Sequence, residues 1–435
     1  GLLLRSVSPW LTGFDRPPNS YLFPDEYGFF LILGLILKEI PFLILVSLSA
    51  LREFSSSKFF DMGKSLQHSS FSTWFILIFP IIYKKIRLVI FIIIAFSSSV
   101  VDMSLLLAPS TPSTLSVRIL QIFQSSDMDS FFIASNLSLI QLFIIIILLI
   151  VWIFFEKIIK LKFFYIFFIK ITSFKSEFLK ITILCFNIIL FLLSFMGIIC
   201  SILWGFSENW YFPNFFPNDL NIENFLNFYY QNKSLILISI FIPLMVSLLS
   251  ISLIILWVEL LDYLNITKTQ FEWIIFTPLF IPQISFLIGI QSFMIFFNFS
   301  SFLIPLIFVQ LFYVIPYCFI ILAPAMREVK TDYIKVASSL GKNRIVRLFK
   351  IKIPLVLPSL MTSFAIGMIV SFALYVPVYF IGAGRVTTLT VEALNLALSG
   401  SKEDLGIATF FQILFPTLLL FTVAFINRKT VKWKI

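Results

Sequence analysis

About nine apolar runs of membrane-crossing length divide this chain of 435 residues. They fall near 28–50, 86–107, 131–155, 178–204, 234–257, 271–297, 300–325, 355–381 and 406–427. Crossing a bilayer core takes ~20 consecutive apolar residues in a helix. Inside hydrocarbon the backbone must satisfy its own polar groups, so each run is predicted as a helix and the fold as an all-α polytopic membrane protein. Composition agrees, with 59% apolar and 12% charged residues and a mean hydropathy of +1.02; a soluble domain carries roughly twice that share of charge. Pro41, Pro243, Pro278, Pro282, Pro305 and Pro316 interrupt the runs. Such kinks are tolerated where neighbouring helices cover the freed backbone groups.

The net charge of +10 points to basic cytoplasmic loops rather than to nucleic acid, because Lys and Arg concentrate on the cytoplasmic side of membrane proteins. The loop 326–354 holds Arg327, Lys330, Lys335, Lys342, Arg344, Arg347, Lys350 and Lys352 against Glu328 and Asp332. The linker near 156–180 holds Lys157, Lys160, Lys162, Lys170, Lys175 and Lys180, and the tail holds Arg428, Lys429, Lys432 and Lys434. Placing all three in the cytoplasm agrees with the number of spans between them. The aromatic-rich loop 205–233 then lies outside. The loop 258–270 falls on the cytoplasmic side yet carries Glu259 and Asp262, which runs against the rule. Cys185, Cys200 and Cys318 sit inside apolar runs and read as small core residues. With a single histidine, His68, no metal site is expected.

Two polar islands share a layout at an offset of 274 residues. Asp61-Met62-Gly63-Lys64-Ser65-Leu66-Gln67 runs on to Phe75 and Pro80; Lys335-Val336-Ala337-Ser338-Ser339-Leu340-Gly341 runs on to Phe349 and Pro354. Thr114-Leu115-Ser116-Val117-Arg118-Ile119-Leu120 and Thr388-Leu389-Thr390-Val391-Glu392-Ala393-Leu394 match at the same offset. The halves therefore read as parallel repeats about an axis along the membrane normal. The expected domains are 1–155, a first repeat with about three spans; 156–177, a basic linker; and 178–435, a second repeat with about six. The first repeat is expected to be truncated, with roughly 90–100 residues before Gly1 and two sets of six spans in the intact architecture. No signal peptide is expected at the N-terminus.

Lys335-Val336-Ala337, Leu340-Gly341, Ile351, Ile353 and Pro354 resemble the cytoplasmic coupling loop of binding-protein-dependent ABC transporter permeases. Gly341 permits a backbone turn that other residues resist, and Pro354 begins the next helix without losing a needed N–H. The resemblance implies a MetI-like importer fold, short loop helices docking on an ATPase subunit, and an external solute-binding protein. Two such loops, 55–80 and 326–354, imply a fused permease engaging two copies of a cytoplasmic ABC ATPase. The implied coupling residues are Asp61, Gly63, Ser65, Leu66, Gln67 and Pro80 in the first, and Lys335, Ala337, Ser339, Leu340, Gly341 and Pro354 in the second. Each copy departs from the family pattern in its own place: its acid is Asp61 in the first but Lys335 in the second, and its glycine is Gly341 in the second but Gln67 in the first. Tyr375-Val376-Pro377, Ile381-Gly382-Ala383-Gly384-Arg385, Thr388–Ala393, Lys38-Glu39-Ile40-Pro41-Phe42 and Ser8-Pro9-Trp10-Leu11-Thr12-Gly13 look most like a thiamine permease type. Fused permeases of this shape occur in the thiamine and ferric-iron branches, so the resemblance implies one of those solutes.

Gly63-Lys64-Ser65 is not a phosphate loop, since Lys58 stands where the first glycine belongs and no strand precedes it. ATP hydrolysis is expected on a separate chain, and neither a catalytic residue nor a cofactor on this one. Lys38, Glu39 and Asp102 fall inside spans, where charges are expensive and face a cavity or one another. Gln283, Gln291 and Gln310 either line a path or link helices. Arg385 and Glu392 lie in the outer loop after Gly382-Ala383-Gly384, as a gate, a dock for the binding protein, or solvated loop residues. An ion-gradient transporter would also show internal repeats, and a non-transporting membrane subunit is a further alternative.

Overall fold

The computed structural model describes residues 27–52, 56–65, 73–125, 128–160, 176–208, 210, 214, 216–217, 219–264, 266, 272–297, 302–329, 331–399 and 401–432. Ser8–Gly13, Leu66, Gln67, His68 and most of the 156–177 linker lie outside them. Among the described residues the fold is all α-helical, with one isolated bridge between Ser207 and Leu220. Among the described residues seven helices are long and apolar enough to cross a membrane, or eight if a pair bent by 100° counts as one span.

The chain divides into two compact units, Gly1–Ile199 with Phe280–Ser285, and Cys200–Leu279 with Phe286–Ile435. The first contains α1 (Phe29–Arg52), α2 (Ser56–Ser65), a π-helical segment (Trp74–Ile78), α3 (Phe79–Ser99), α4 (Asp102–Leu107), α5 (Leu115–Phe123) and α6 (Met128–Lys160). Helix α7 (Ser176–Phe206) follows. The second unit contains α8 (Glu223–Gln231), α9 (Lys233–Tyr263), α12 (Leu303–Arg327), α13 (Thr331–Ser339), α14 (Arg344–Arg347), a second π-helical segment (Leu348–Lys352), α15 (Ile353–Ala373), α16 (Val376–Gly382), α17 (Leu389–Ser399) and α18 (Lys402–Lys432). Helices α10 (Trp273–Phe280) and α11 (Gln283–Phe296) form the bent pair.

Helix α6 shows what kind of solvent these units meet. It buries Ala134, Ser138, Gln141, Ile145 and Glu156, and exposes Phe132, Ile133, Ile140, Phe143, Ile147 and Phe154. The buried positions recur at helical spacing on one face, and that face holds the polar residues. Gln141 Nε2 donates to Ser116 Oγ at 2.7 Å, and Arg87 and Tyr83 meet Glu156. An apolar outer face over a polar inner one suits hydrocarbon, where hydrogen bonds join helices and the lipid takes the rest.

In the second unit, α9, α12 and α15 pack pairwise into a three-helix core. The facing surfaces carry Ser247, Ser250, Cys318, Ser363 and Ser371, all buried. Small residues let membrane helices approach without a hydrophobic driving force between them. Their hydroxyls are satisfied within the core: Ser250 Oγ donates to Val246 O at 2.7 Å, Ser363 Oγ to Cys318 O at 3.2 Å, and Ser371 Oγ to Gln310 Oε1.

Three predicted spans need correction. The run 86–107 is not one helix: α3 ends at Ser99, Val100 is extended, and α4 begins at Asp102. The run 355–381 breaks in the same way, with α15 ending at Ala373, Leu374 extended and α16 starting at Val376. The run 271–297 bends by 100° next to Pro282, where α10 gives way to α11. Hydropathy stays high across the break at Leu374, so composition alone conceals it, while Ser97–Ser99 with Asp102 flank the first break and Pro282 with Gln283 the bend.

The element order of the first unit recurs in the second with a constant displacement. The π-helical segments start at 74 and 348, the following helices at 79 and 353, the short helices at 102 and 376, the next at 115 and 389, and the long last helices at 128 and 402. Each is displaced by the 274 residues that separate the two polar islands.

Candidate functional site

The segment 331–352 begins with the amphipathic α13. Its small residue Ala337 faces inward and is buried. Tyr333, Val336 and Leu340, with Ile345 and Phe349 further on, are each more than half exposed. Lys335, Ser338 and Ser339 share the exposed side, and both serine hydroxyls donate back to Lys335 O, at 2.6 and 3.1 Å. The helix ends at Gly341, whose φ of +68° is left-handed. Gly341 N–H donates to Ser338 O at 2.9 Å and Lys342 N–H to Ala337 O at 3.1 Å, the paired bonds of a glycine C-cap. Nothing crowds the position, so backbone conformation rather than space asks for glycine there.

After that turn the chain runs through α14 and the π-helical segment into α15, with Pro354 as the second residue of α15. Lys352, last in the π-helical segment, is only 5% exposed. Its Nζ reaches Asp262 Oδ2 at 2.5 Å and Glu259 Oε1. Arg344 Nε donates to Glu259 Oε2 at 3.2 Å, its Nη2 donates to the Glu259 carbonyl, and its guanidinium lies 5.0 Å from the Tyr263 ring centroid. Helix α9 thus ends on two acids that receive cations from both ends of the segment 344–352. Nearby, Arg327 makes two bonds to Glu272, at 2.6 and 3.3 Å. A cavity of about 690 Å³ opens here, lined by Glu259, Asp262, Arg327, Lys335, Arg344, Arg347 and Lys352 among others.

The first polar segment is held differently. Asp61 is exposed, and Ser65 Oγ donates to Asp61 O at 3.0 Å. Gly63 is buried at the place in α2 that Ala337 holds in α13. A Cβ on Gly63 would meet the Thr73 side chain, with Thr73 Cβ at 2.8 Å. Pro80 is the second residue of α3, as Pro354 is of α15. Ile78, Ile82 and Ile86 form a buried cluster with Phe59, Phe60 and Trp74 against it. One helical turn and more beyond, Glu156 takes Arg87 at 2.9 Å and Tyr83 at 2.5 Å, and Trp152 donates to Tyr83 at 3.0 Å.

The remaining candidates are dispersed. Lys38 Nζ lies 4.2 Å from the Phe96 ring centroid, and Glu39 is half-buried beside it on α1. Asp102 opens α4 and Gln283 opens α11. The Gln291 side-chain carbonyl is buried without a hydrogen-bond partner among the described residues. Arg385 stacks on Phe302 at 4.5 Å, after the left-handed pair Ala383 and Gly384. Glu392 sits in the first turn of α17. Sequence reasoning did not single out Glu259, Asp262 and Glu156 as ion-pair partners. The only signal for the first two was an acidic pair in a loop placed on the basic side.

No family model matches this chain. The chain is similar to the inner membrane ABC transporter permease protein YnjC of Escherichia coli (strain K12), with 24% identity over 432 residues, covering 98% of this chain and 76% of that protein.

Proposed function

We propose that this chain is the membrane-spanning permease subunit of an ATP-binding-cassette importer in the inner membrane. The observation that carries the reading is the likeness to an inner-membrane ABC permease along nearly the whole chain. The constant displacement between the two series of elements supports a fused permease of two parallel repeats, with one polypeptide standing in for a dimer. Each repeat offers one polar segment, 55–80 or 326–354, to one of two cytoplasmic ATPase copies. An external binding protein delivers the solute to the opposite face. ATP-driven closure of the ATPases moves both segments and shifts the bundle between inward-open and outward-open states.

The exposed apolar and basic side chains of 331–349 supply the docking face, with Lys335, Ser339 and Leu340 outward. Ala337 lets α13 lie close to the bundle, Gly341 turns the chain back, and Pro354 begins the returning helix. On the first segment Asp61 is outward and Gly63 takes the inward place. Lys38, Glu39, Asp102, Gln283 and Gln291 are the polar groups to test along a solute path, and Arg385 and Glu392 those to test at its outer mouth.

Thiamine and ferric iron are the first solutes to assay. Proteoliposomes holding the chain and a candidate ABC ATPase from the same organism, with a candidate solute-binding protein added, are expected to accumulate one of them with ATP. Uptake that persists without the ATPase and collapses with a proton or sodium gradient would overturn the reading in favour of a gradient-driven transporter.

A further inference from the structure

Helix α9 is tied at both ends, and the two ties differ in kind. At its C-terminal end, Glu259 accepts from Lys352 and Arg344, with Asp262 also on Lys352. Lys352 is buried, so parting it from these acids would strand an ammonium away from water. At its N-terminal end, the buried Ser239 Oγ accepts the backbone N–H of Leu389 at 2.8 Å. That N–H belongs to the first residue of α17, which packs in a cluster of Leu235, Ile236, Leu389, Ala393, Ile407 and Phe411. The twenty residues from Ser239 to Glu259 span about 30 Å of helix. Along that length α9 packs against α12 and α15.

We propose that Glu259 is a positioning residue that locks the segment 344–352 to α9, and that α9 passes the segment's movement to α17 through Ser239. This rests on the reading of 326–354 as the face that meets the ATPase. The ion joint holds because one carboxylate receives both flanks of the segment, so a displacement of either flank is felt at one point on α9. Arg344 also grips the Glu259 backbone carbonyl, so the pull reaches the main chain as well as the side chain. The far joint is a neutral hydrogen bond, but it is buried and ends on a backbone amide, so α17 cannot leave α9 without orphaning that amide.

The test needs no knowledge of the solute. A single cysteine, Leu398→Cys, on the exposed side of α17 carries an environment-sensitive fluorophore in a background of Cys185→Ala, Cys200→Ala and Cys318→Ala. The chain is reconstituted in nanodiscs with its cognate ATPase, and ATP, magnesium and vanadate are added to trap the closed ATPase. The unmodified joint is expected to give a fluorescence change on trapping. Glu259→Gln is expected to trap the same amount of nucleotide while the fluorescence change falls about tenfold, the size of an ordinary coupling between linked sites. Ser239→Ala removes only a hydroxyl and is expected to show the same split; it carries the test alone if Glu259→Gln does not assemble. An undiminished fluorescence change in either assembled variant would overturn the proposal, and so would a silent label in the parent chain despite full trapping. Failure of the parent chain to capture the ATPase would overturn the permease reading itself, a different result from any of these.

Discussion

The last residue of the first π-helical segment is Ile78, and the last residue of the second is Lys352. Both are buried, Ile78 at 0% exposure and Lys352 at 5%. The same place in the same element is filled once by a hydrocarbon and once by an ammonium. Ile78 needs only apolar neighbours and has them in Ile82, Ile86 and Trp74. Lys352 needs countercharge and draws it from Glu259 and Asp262 on α9. The first unit places an ion pair elsewhere, between α3 and α6, where the buried Glu156 meets the partly exposed Arg87. In the second unit the matching helix pair, α15 and α18, is joined instead by Asn427 donating to Thr362 Oγ1 at 3.3 Å. The two segments share a backbone layout but not a fastening. The second is anchored by charge to a further spanning-length helix, and the first is packed by apolar contact.

The sharpest way to break this comparison is Glu259→Ala. It leaves Lys352 and Arg344 short of their main acid and is expected to cost about 4 kcal/mol of stability, read by equilibrium unfolding in mixed micelles. Adding Lys352→Ile makes the second segment resemble the first and is expected to recover most of that loss, because the buried ammonium is gone. A double variant as unstable as the single would contradict the assignment. Ile78→Ala opens a cavity in the apolar fastening and is expected to cost about 3 kcal/mol, with no dependence on salt. Added salt is expected to weaken the joint at Lys352 more than the packing at Ile78, since Asp262 is partly open to solvent.

Two glycines sharpen the contrast with smaller effects. Gly63→Ala drives a methyl into Thr73 and is expected to cost about 2 kcal/mol; Thr73→Gly in the same chain is expected to relieve it. Gly341→Ala meets no neighbour and pays only for the left-handed backbone, about 1 kcal/mol. Equal costs for the two, or relief of Gly341→Ala by any neighbouring truncation, would show that the two turns are built alike.

The apolar runs made the long helices legible, because lipid demands length and hydropathy together. The break at Leu374 was not legible, since apolar residues continue on both sides and hydropathy carries no record of a backbone that turns extended, whereas Ser97-Ser98-Ser99 and Asp102 marked the break at Val100 without giving its geometry. Pro282 marked the bend between α10 and α11 but not its size. In the polar segment, Gly341 and Pro354 announced the turn and the next helix, because both act through their own backbone. Glu259 and Asp262 stood out only as acids out of keeping with a basic face. Their partners lie some ninety residues on, and no local pattern joins positions so far apart.

The most direct measurement is capture of a candidate ATP-binding-cassette ATPase from the same organism by the tagged chain in detergent. Parent chain and chain carrying Lys335→Glu with Gly341→Pro are compared at equal loading and equal thermal stability. The expected result is stoichiometric capture by the parent and a loss of about tenfold or more in the variant, the effect of removing a central charge and the turn that presents it. Equal capture by both, or none by the parent, would contradict the account.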